Sequence, residues 1–254
     1  MLSPVLRYGD QGKFVEELQD LLNETLLAEH KIYYSEDIET NGKFGPHTKY
    51  FVERFQSSAR LKMDGVVGKM TWAALRGTEK FNCYDEPYSV KAADDFTCWA
   101  AATAMLKKLH HPDTSRNADA RVEYQSNGNV GGLGNDDENM KKYARHHNFG
   151  AVTGQIISCE QLGNLLTMFG RLMINMKGVS SKMMAGNPND SHLVVVGGMR
   201  GDGTPKGTTL MIFDTSPDTG DAIKIASYSY LKNRFPQLTH QCFYSYSNRS
   251  TNIY

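Results

Sequence analysis

The sequence predicts an α+β protein in which a small three-helix domain precedes a domain whose first main helix packs on an antiparallel sheet. Three observations favour this fold class. The first 80 residues carry only helical patterns, a helix of small residues starts at Cys98, and strand patterns dominate after residue 170. A chain of 254 residues can bury two separate cores. We expect an N-terminal domain at 1–80, a linker at 81–90 and a second domain at 91–254.

Two repeated turns organise the N-terminal domain. Asn41-Gly42 and, 23 residues later, Asp64-Gly65 each supply a tight turn that leads into a helix. Pro46 suits the first position of the helix after the first turn, because that position needs no N–H donor. Apolar residues at helical spacing mark the core faces of three helices. They are Phe14, Leu18, Leu21 and Leu22, then Phe51, Val52 and Phe55, then Trp72 and Leu75.

Three helices are expected in the second domain before its sheet. The first starts at Cys98 and contains several alanines that allow close packing by neighbouring elements. The second is expected to have Asn135 as its N-cap, with Glu138 completing a capping-box pattern. The third starts with a capping box formed by Ser158 and Gln161.

Five short strands follow these helices. Each is an apolar or alternating run bounded by Gly, Pro or Asp turns, which is typical of a sheet. The predicted strands are residues 171–176, 192–199, 209–214, 222–227 and 241–246. Helices followed by an antiparallel sheet make this an α+β domain.

Charge and hydropathy exclude several classes of partner. Lys plus Arg and Asp plus Glu are equal at 28 each, so no basic surface predicts binding to nucleic acid or to an anionic membrane. No apolar run approaches the roughly 18 residues of a membrane-spanning helix. The N-terminal residues lack the charged and apolar segments of a signal peptide, and we expect synthesis in the cytoplasm.

The cysteines and histidines do not predict a metal site. The four cysteines contain no Cys-x-x-Cys motif, and neither a zinc site nor a dense disulfide framework is indicated. The sequence leaves open whether two of Cys83, Cys159 and Cys242 form a disulfide. The histidine pairs at 110–111 and 146–147 occupy adjacent positions that do not share a helix face, with no Glu or Cys at zinc spacing. We expect neither a metal nor a cofactor.

Cys98 is the main candidate for a reactive group. It stands at the start of a helix, where the aligned peptide dipoles favour a thiolate. His192, at the start of a later strand, is the candidate for the imidazole that a cysteine nucleophile needs. The pair predicts a cysteine hydrolase. The structural alternative is a buried cysteine that serves only packing.

The N-terminal domain carries a family resemblance over residues 6 to about 76. The residues that carry it are Leu6, Gly9, Gly12, Val15, Leu18-Gln19, Leu22, Gly42, Phe44-Gly45, Thr48, Val52, Phe55-Gln56, Leu61, Asp64-Gly65, Val67-Gly68, Thr71-Trp72 and Leu75. This series resembles the peptidoglycan-binding domain of cell-wall hydrolases. Most of these residues form cores and turns, so the resemblance implies a fold without naming binding residues. A docking module that does not bind the wall is the alternative.

The second domain carries another resemblance, over residues 88 to about 245. The sequence segments that carry this resemblance are TCWAA at 97–101, SHLVVVGG at 191–198, RGDGTP at 200–205 and IFDTSP at 212–217. They resemble the papain-like cysteine peptidases, in particular the AvrRpt2-like branch. The resemblance implies a papain-like fold and a triad of Cys98, His192 and Asp214, in which Asp214 orients the imidazole.

One position departs from the papain-like pattern. These enzymes commonly place a glutamine about six residues before the cysteine, as the second donor of the oxyanion hole, and this chain has Ala92 there. The N–H of Cys98 itself is implied as the first donor. The second donor stays unassigned, which keeps an inactive site among the alternatives.

Together the resemblances imply a cysteine hydrolase that cleaves peptide amide bonds, with the stem peptides of bacterial peptidoglycan as the expected substrate. To reach the wall it needs export by a dedicated secretion machine or release at lysis, and it would act in the periplasm or in a target cell. An immunity protein is a further expected partner. One alternative is a toxin cysteine protease that cleaves a protein inside a target cell. Another is a binding module that keeps the fold without activity.

Overall fold

The computed structural model describes residues 3–30, 38–85, 89–92, 98–108, 136–154, 157–177, 191–216, 223–235 and 241–245. The chain divides into two units, residues 1–80 and 81–254. Helices and an antiparallel sheet make the fold α+β, as the sequence predicts. Among the described residues, no helix is long and apolar enough to cross a membrane.

The first unit contains three helices, which are α1 (Lys13–His30), α2 (Pro46–Ser58) and α3 (Lys69–Leu75). Pro46 is the first residue of α2, as predicted, because a proline at this position forfeits no helical hydrogen bond. The apolar faces of the helices enclose one core. The residues without solvent exposure in this core are Val15, Leu18, Leu22, Val52 and Val67.

Each of the two repeated turns is fixed by a glutamine of the helix before it. Gln19 accepts a hydrogen bond from the N–H of Gly42 at 2.9 Å and donates to the carbonyl of the next residue at 3.2 Å. Gln56 accepts from the N–H of Gly65 at 2.9 Å and donates to the carbonyl of the next residue at 2.9 Å. Both glutamines are buried. They satisfy backbone groups that would otherwise be buried without partners.

The second unit contains four described helices and seven strands. The helices are α4 (Cys98–Leu106), α5 (Asp137–His147), α6 (Cys159–Phe169) and α7 (Tyr228–Arg234). The strands are β1 (Phe81–Tyr84), β2 (Phe149–Thr153), β3 (Leu172–Lys177), β4 (Ser191–Gly201), β5 (Thr208–Phe213), β6 (Ile223–Ser227) and β7 (Gln241–Ser245). All pairs are antiparallel, in the order β2-β7-β3-β4-β5-β6, and β1 pairs with the second half of β4.

Helices cover both faces of the sheet. Trp99 of α4 belongs to the core on one face together with Val195 of β4. Leu162 of α6 belongs to the core on the other face together with Val194. Successive residues of a strand point to opposite faces, and a strand buried on both faces reads as a continuous apolar run. This explains the three consecutive valines of β4.

The predicted linker at residues 81–90 is wrong in its first four residues. Phe81–Tyr84 forms β1, with Tyr84 opposite Gly198 of β4. The ring of Tyr84 lies so close to Gly198 that a Cβ there would be 2.1 Å from it. Four residues are too few to show a strand periodicity, and the partner strand is far along the chain. Strand β2 and helix α7 were also not predicted from the sequence.

The N-cap of α5 differs from the prediction by one residue. Asp136 is the N-cap, and its side chain accepts a hydrogen bond from the N–H of Asn139 at 2.9 Å. Asn135, the predicted cap, lies outside the described residues. Asp and Asn are almost equally good caps, so the sequence did not distinguish two such neighbours. The capping box of Ser158 and Gln161 at the start of α6 is confirmed.

Arg171 anchors the C-terminal end of α4. Its buried guanidinium donates to Asp85 at 2.6 Å and to the carbonyl of Met105, in the last turn of α4, at 3.1 Å. It also lies over the ring of Phe213, 5.5 Å from the centroid. The last carbonyls of a helix lack partners within the helix and carry a partial negative charge. Arg171 therefore fixes the helix that begins at Cys98.

Replacing Arg171 should destabilise the second unit strongly. Arg171→Met should lower its free energy of unfolding by about 3–5 kcal/mol, because it removes one partner of a buried ion pair. Lys108 pairs with the same carboxylate at 3.0 Å but has a side chain that is 48% exposed. As the matched control, Lys108→Gln should cost about 1 kcal/mol or less. Urea denaturation of both variants measures this, and equal losses would contradict the anchoring role.

Candidate active site

Cys98 lies at the start of a helix that is otherwise largely buried. It is the first residue of α4, and its side chain is partly exposed. The following residues of α4, from Trp99 to Leu106, pack mostly in the core against β3 and β4. The first N–H groups of a helix have no partner within it. A thiol and helix N–H donors therefore occur together at this position.

His192 and Asp214 lie side by side on neighbouring strands. His192 is the second residue of β4, and Asp214 directly follows β5. Val195 stands opposite Phe213 in this antiparallel pair, which brings the start of β4 to the end of β5. Nε2 of His192 is 2.9 Å from Oδ1 of Asp214. Their side chains are only 1% and 0% exposed.

The buried carboxylate of Asp214 has a partner on each oxygen. Oδ1 also accepts a hydrogen bond from the N–H of Ser216 at 3.0 Å, and Oδ2 accepts one from Nζ of Lys224 at 2.6 Å. Burial alone would raise the pKa of Asp214. The hydrogen bonds from His192, Lys224 and Ser216 outweigh burial and hold that pKa well below its usual range. Asp214 is therefore an anion.

The imidazole of His192 connects Asp214 with Cys98. Burial alone would lower the pKa of His192, but its interactions with Asp214 and Cys98 raise that pKa to about 9. Because Nε2 faces Asp214, Nδ1 is the nitrogen left for the thiol. The structure thus pairs His192 with Asp214 and places Cys98 among the groups that act on His192, while the triad of all three residues stays a prediction.

Two hydroxyl groups complete the surroundings of Nε2. Oγ of Ser216 is 3.1 Å from this nitrogen, and Oγ1 of Thr215 is 3.4 Å from it. Thr215 donates its proton to the carbonyl of Leu193 at 2.7 Å. The hydroxyl oxygen of Thr215 is therefore an acceptor toward His192, as suits a protonated imidazole.

The other three cysteines lie in environments that favour the thiol. Burial raises the pKa of Cys83, raises that of Cys159 to about 11 and raises that of Cys242 to about 12. A thiolate is the reactive form of cysteine. All four cysteines are free, so the structure does not contain the disulfide that the sequence left open.

His147 of α5 packs among aromatic rings, as a structural histidine does. His147 packs against the rings of Tyr143 and Phe149. Burial and the nearby charge of Lys107 lower the pKa of His147 to about 4. In the described part of the chain, no three His, Cys, Asp or Glu side chains are grouped as metal ligands would be. The pair at 110–111 lies outside that part.

Ala92 cannot serve as the second oxyanion donor. Its methyl side chain is buried and carries no donor, and its N–H donates to the carbonyl of Thr215 at 2.9 Å. Residues 93–97 lie outside the described residues. The hydrogen bond of Ala92 instead joins the segment before Cys98 to the segment that holds Asp214.

Three residues of this site were not predicted from the sequence. Thr215 and Ser216 directly follow Asp214 in the segment IFDTSP, in which a role was predicted only for Asp214. Lys224 is the one charged residue of β6 and stands opposite Ile212 of β5. The signal for Lys224 in the sequence was a lysine within a short, alternating strand pattern.

Parts of the chain are similar to known proteins. Residues 11–75 match the family model described as "Putative peptidoglycan binding domain". The "Uncharacterized protein in bpoA1 3'region" of Kitasatospora aureofaciens is 40% identical over 72 residues, which are 28% of this chain and 55% of that protein. The chain thus spans about half the length of this curated relative.

Two solved structures show weaker likeness. The SleB N-terminal domain is 28% identical and covers 30% of this chain and 93% of the solved chain, with a TM-score of 0.24. The Burkholderia AP3 phage endolysin is 23% identical and covers 50% of this chain and 40% of the solved chain, with a TM-score of 0.25. TM-scores this low carry no argument about the architecture.

A second family model covers more than half of the chain. It is described as "Papain-like cysteine protease AvrRpt2" and matches residues 80–233. The matched segment contains β1, α4 and the strands that bear His192 and Asp214. The chain therefore belongs to the AvrRpt2 family of papain-like cysteine proteases.

Proposed function

We propose that this protein is a cysteine hydrolase that cleaves peptide amide bonds in the stem peptides of bacterial peptidoglycan. The observation that carries the proposal is the buried pair of His192 and Asp214, with Cys98 among the groups that raise the pKa of His192. This is the arrangement that activates a cysteine nucleophile. The match of residues 11–75 to a peptidoglycan-binding domain family supports the wall as the substrate.

Acylation begins with the thiolate of Cys98 and the imidazolium of His192. The sulfur attacks the carbonyl carbon of the amide, and the N–H of Cys98 stabilises the oxygen that becomes negative. His192 then gives its proton to the leaving amine as the C–N bond breaks. The amine departs, and the acyl group stays on the sulfur as a thioester.

Deacylation uses water as the second substrate. Neutral His192 takes a proton from a water molecule, whose oxygen attacks the thioester carbonyl. The C–S bond then breaks, which releases the carboxylic acid and restores the thiolate–imidazolium pair. Asp214 keeps the ring oriented through Nε2 and stabilises its charged form in both steps. No cofactor is needed for this chemistry.

Access to the wall requires a route out of the cytoplasm. On this proposal the enzyme is exported by a dedicated secretion machine or released at lysis, and it acts in the periplasm or in a target cell. A producing cell would need protection from an enzyme of this kind. We therefore include an immunity protein among its partners.

A protein substrate is the second candidate. The family model that covers the catalytic unit bears the name of a protease, and the chemistry of Cys98 and His192 applies equally to a protein backbone. In that case the first unit would serve recognition of the target. A toxin protease of this type would leave sacculi intact and clip a protein of the target cell.

Cys98→Ala should abolish hydrolysis while leaving the fold nearly unchanged, because it removes only the sulfur at a helix start and retains a good helix former. Purified sacculi are digested with each protein, and released amines and muropeptides are identified by mass spectrometry. Cys83→Ala is the matched control and should retain activity, since burial keeps that cysteine as a thiol. Full activity of the Cys98 variant would remove it from the mechanism.

Asp214→Asn should shift the alkaline limb of the pH profile to lower pH. Activity requires the imidazolium, which is present below the pKa of about 9 and is lost as the pH rises through it. Asparagine keeps a hydrogen bond to the ring but removes the charge that raises this pKa. Asp214→Ala also loses orientation and should reduce kcat by about 10- to 1,000-fold. Wild-type rates and profiles in both variants would reduce Asp214 to a structural residue.

The first unit should bind the wall on its own. Residues 1–80 have a separate core, so this fragment should fold and sediment with purified sacculi. Residues 81–254 alone should keep the same bond specificity and lose mainly efficiency on insoluble wall, because tethering raises local concentration without changing the transition state. A fragment that stays in the supernatant at all salt concentrations would point to the docking alternative.

A further inference from the structure

Lys224 contacts the carboxylate that holds the candidate catalytic histidine. Its Nζ lies 2.6 Å from Oδ2 of Asp214, while Oδ1 of the same carboxylate faces Nε2 of His192 at 2.9 Å. The lysine side chain is 29% exposed, whereas Asp214 has no exposure. Lys224 therefore reaches from the surface of β6 to a buried anion on the next strand.

Because of this contact, the two oxygens of Asp214 have different partners. A carboxylate can rotate and present either oxygen to the imidazole, or both. With Lys224 on one oxygen and the N–H of Ser216 on the other, the plane of the carboxylate that satisfies all three donors is the one observed. Lys224 therefore helps to hold the carboxylate in the plane in which one oxygen faces His192 and the other faces Lys224.

Lys224 also changes the charge balance of the site. The thiolate, the imidazolium and the carboxylate together carry one net negative charge, and a lysine ammonium makes the four groups neutral. A cation on Oδ2 withdraws part of the attraction that Asp214 exerts on the imidazolium. An imidazolium that is held less tightly is a stronger acid toward the leaving amine.

We propose that Lys224 is a positioning residue for the hydrolase, which orients Asp214 and moderates the hold of Asp214 on the His192 imidazolium. This inference deepens the proposed function and rests on it for its catalytic meaning. The contact between Lys224 and Asp214 itself does not depend on which substrate the protein cleaves.

Other charged groups near these strands are few in the described residues. Asp214 and Cys98 act on His192, and His192 and Lys224 act on Asp214. The remaining titratable or charged side chains that the structure describes on the elements packed here are Cys83 and Tyr84 of β1, Arg200 of β4, Cys159 and Glu160 of α6, and Tyr228, Tyr230, Lys232 and Arg234 of α7. None of these is among the groups that act on His192 or Asp214.

A titration of the imidazole tests the proposal without a substrate. In the Cys98→Ala background, NMR follows the His192 signal, which is assigned by its absence in a His192→Gln variant. Lys224→Gln should raise the pKa of His192 by about 0.5–1 unit, since it removes a cation beside the carboxylate. Lys224→Met repeats the test without a polar group, and Lys224→Arg should restore the original titration.

Lys206 provides the matched control. It is an exposed lysine of the hairpin between β4 and β5, and Lys206→Gln removes the same charge without touching Asp214. This variant should titrate like the parent. A Lys224→Gln or Lys224→Met variant with an unchanged or lowered His192 pKa would overturn the proposal.

Activity measurements separate a failure of the positioning role of Lys224 from a failure of the proposed hydrolase function. With Cys98 restored, Lys224→Gln should reduce kcat about 10-fold, leave KM unchanged and move the alkaline limb to higher pH, opposite to Asp214→Asn. If the wild-type protein cleaves no peptide bond but the NMR shift occurs, the proposed function fails and the positioning contact stands. An active Lys224→Gln enzyme with a wild-type kcat and pH profile would refute the positioning role.

Discussion

The buried negative charge of Asp214 is the constraint that organises the second unit. A carboxylate without solvent exposure costs several kcal/mol unless it is fully paired. Here its partners come from three places, which are His192 on β4, Lys224 on β6 and the N–H of Ser216 after β5. The strand order β4-β5-β6 brings these groups together. The sheet that forms the core is therefore also the element that makes a buried, ionised Asp214 tolerable.

Helix α4 is fixed at its C-terminal end and lies on the sheet along its length. Arg171 donates to a carbonyl in the last turn of α4, and Cys98 at the first residue is among the groups that raise the pKa of His192. The small residues between them allow α4 to lie directly on β3 and β4. Stability and reactivity thus depend on the same helix position, because a displaced helix would separate the sulfur from the imidazole.

Local patterns predicted much of this arrangement, and long-range contacts were missed. The α+β fold class, the start of α4 and the capping box at Ser158 follow from residues that are neighbours in sequence. β1, the Arg171 anchor and the contact of Lys224 with Asp214 depend on strand pairing that no local pattern shows. The resemblance to papain-like peptidases also implied that His192 lies near Asp214, and the catalytic roles of both residues stay predictions.

The reactivity of the Cys98 thiol tests whether Cys98, His192 and Asp214 act together. The native protein is treated at pH 6 with less than one equivalent of iodoacetamide, and the alkylated cysteine is mapped by mass spectrometry. We expect Cys98 to react first, because of the four cysteines only Cys98 is among the groups that act on His192, whose charged form Asp214 stabilises. This preference should disappear in His192→Gln. Alkylation of Cys83 ahead of Cys98, or an unchanged preference in the histidine variant, would contradict a thiolate–imidazolium pair.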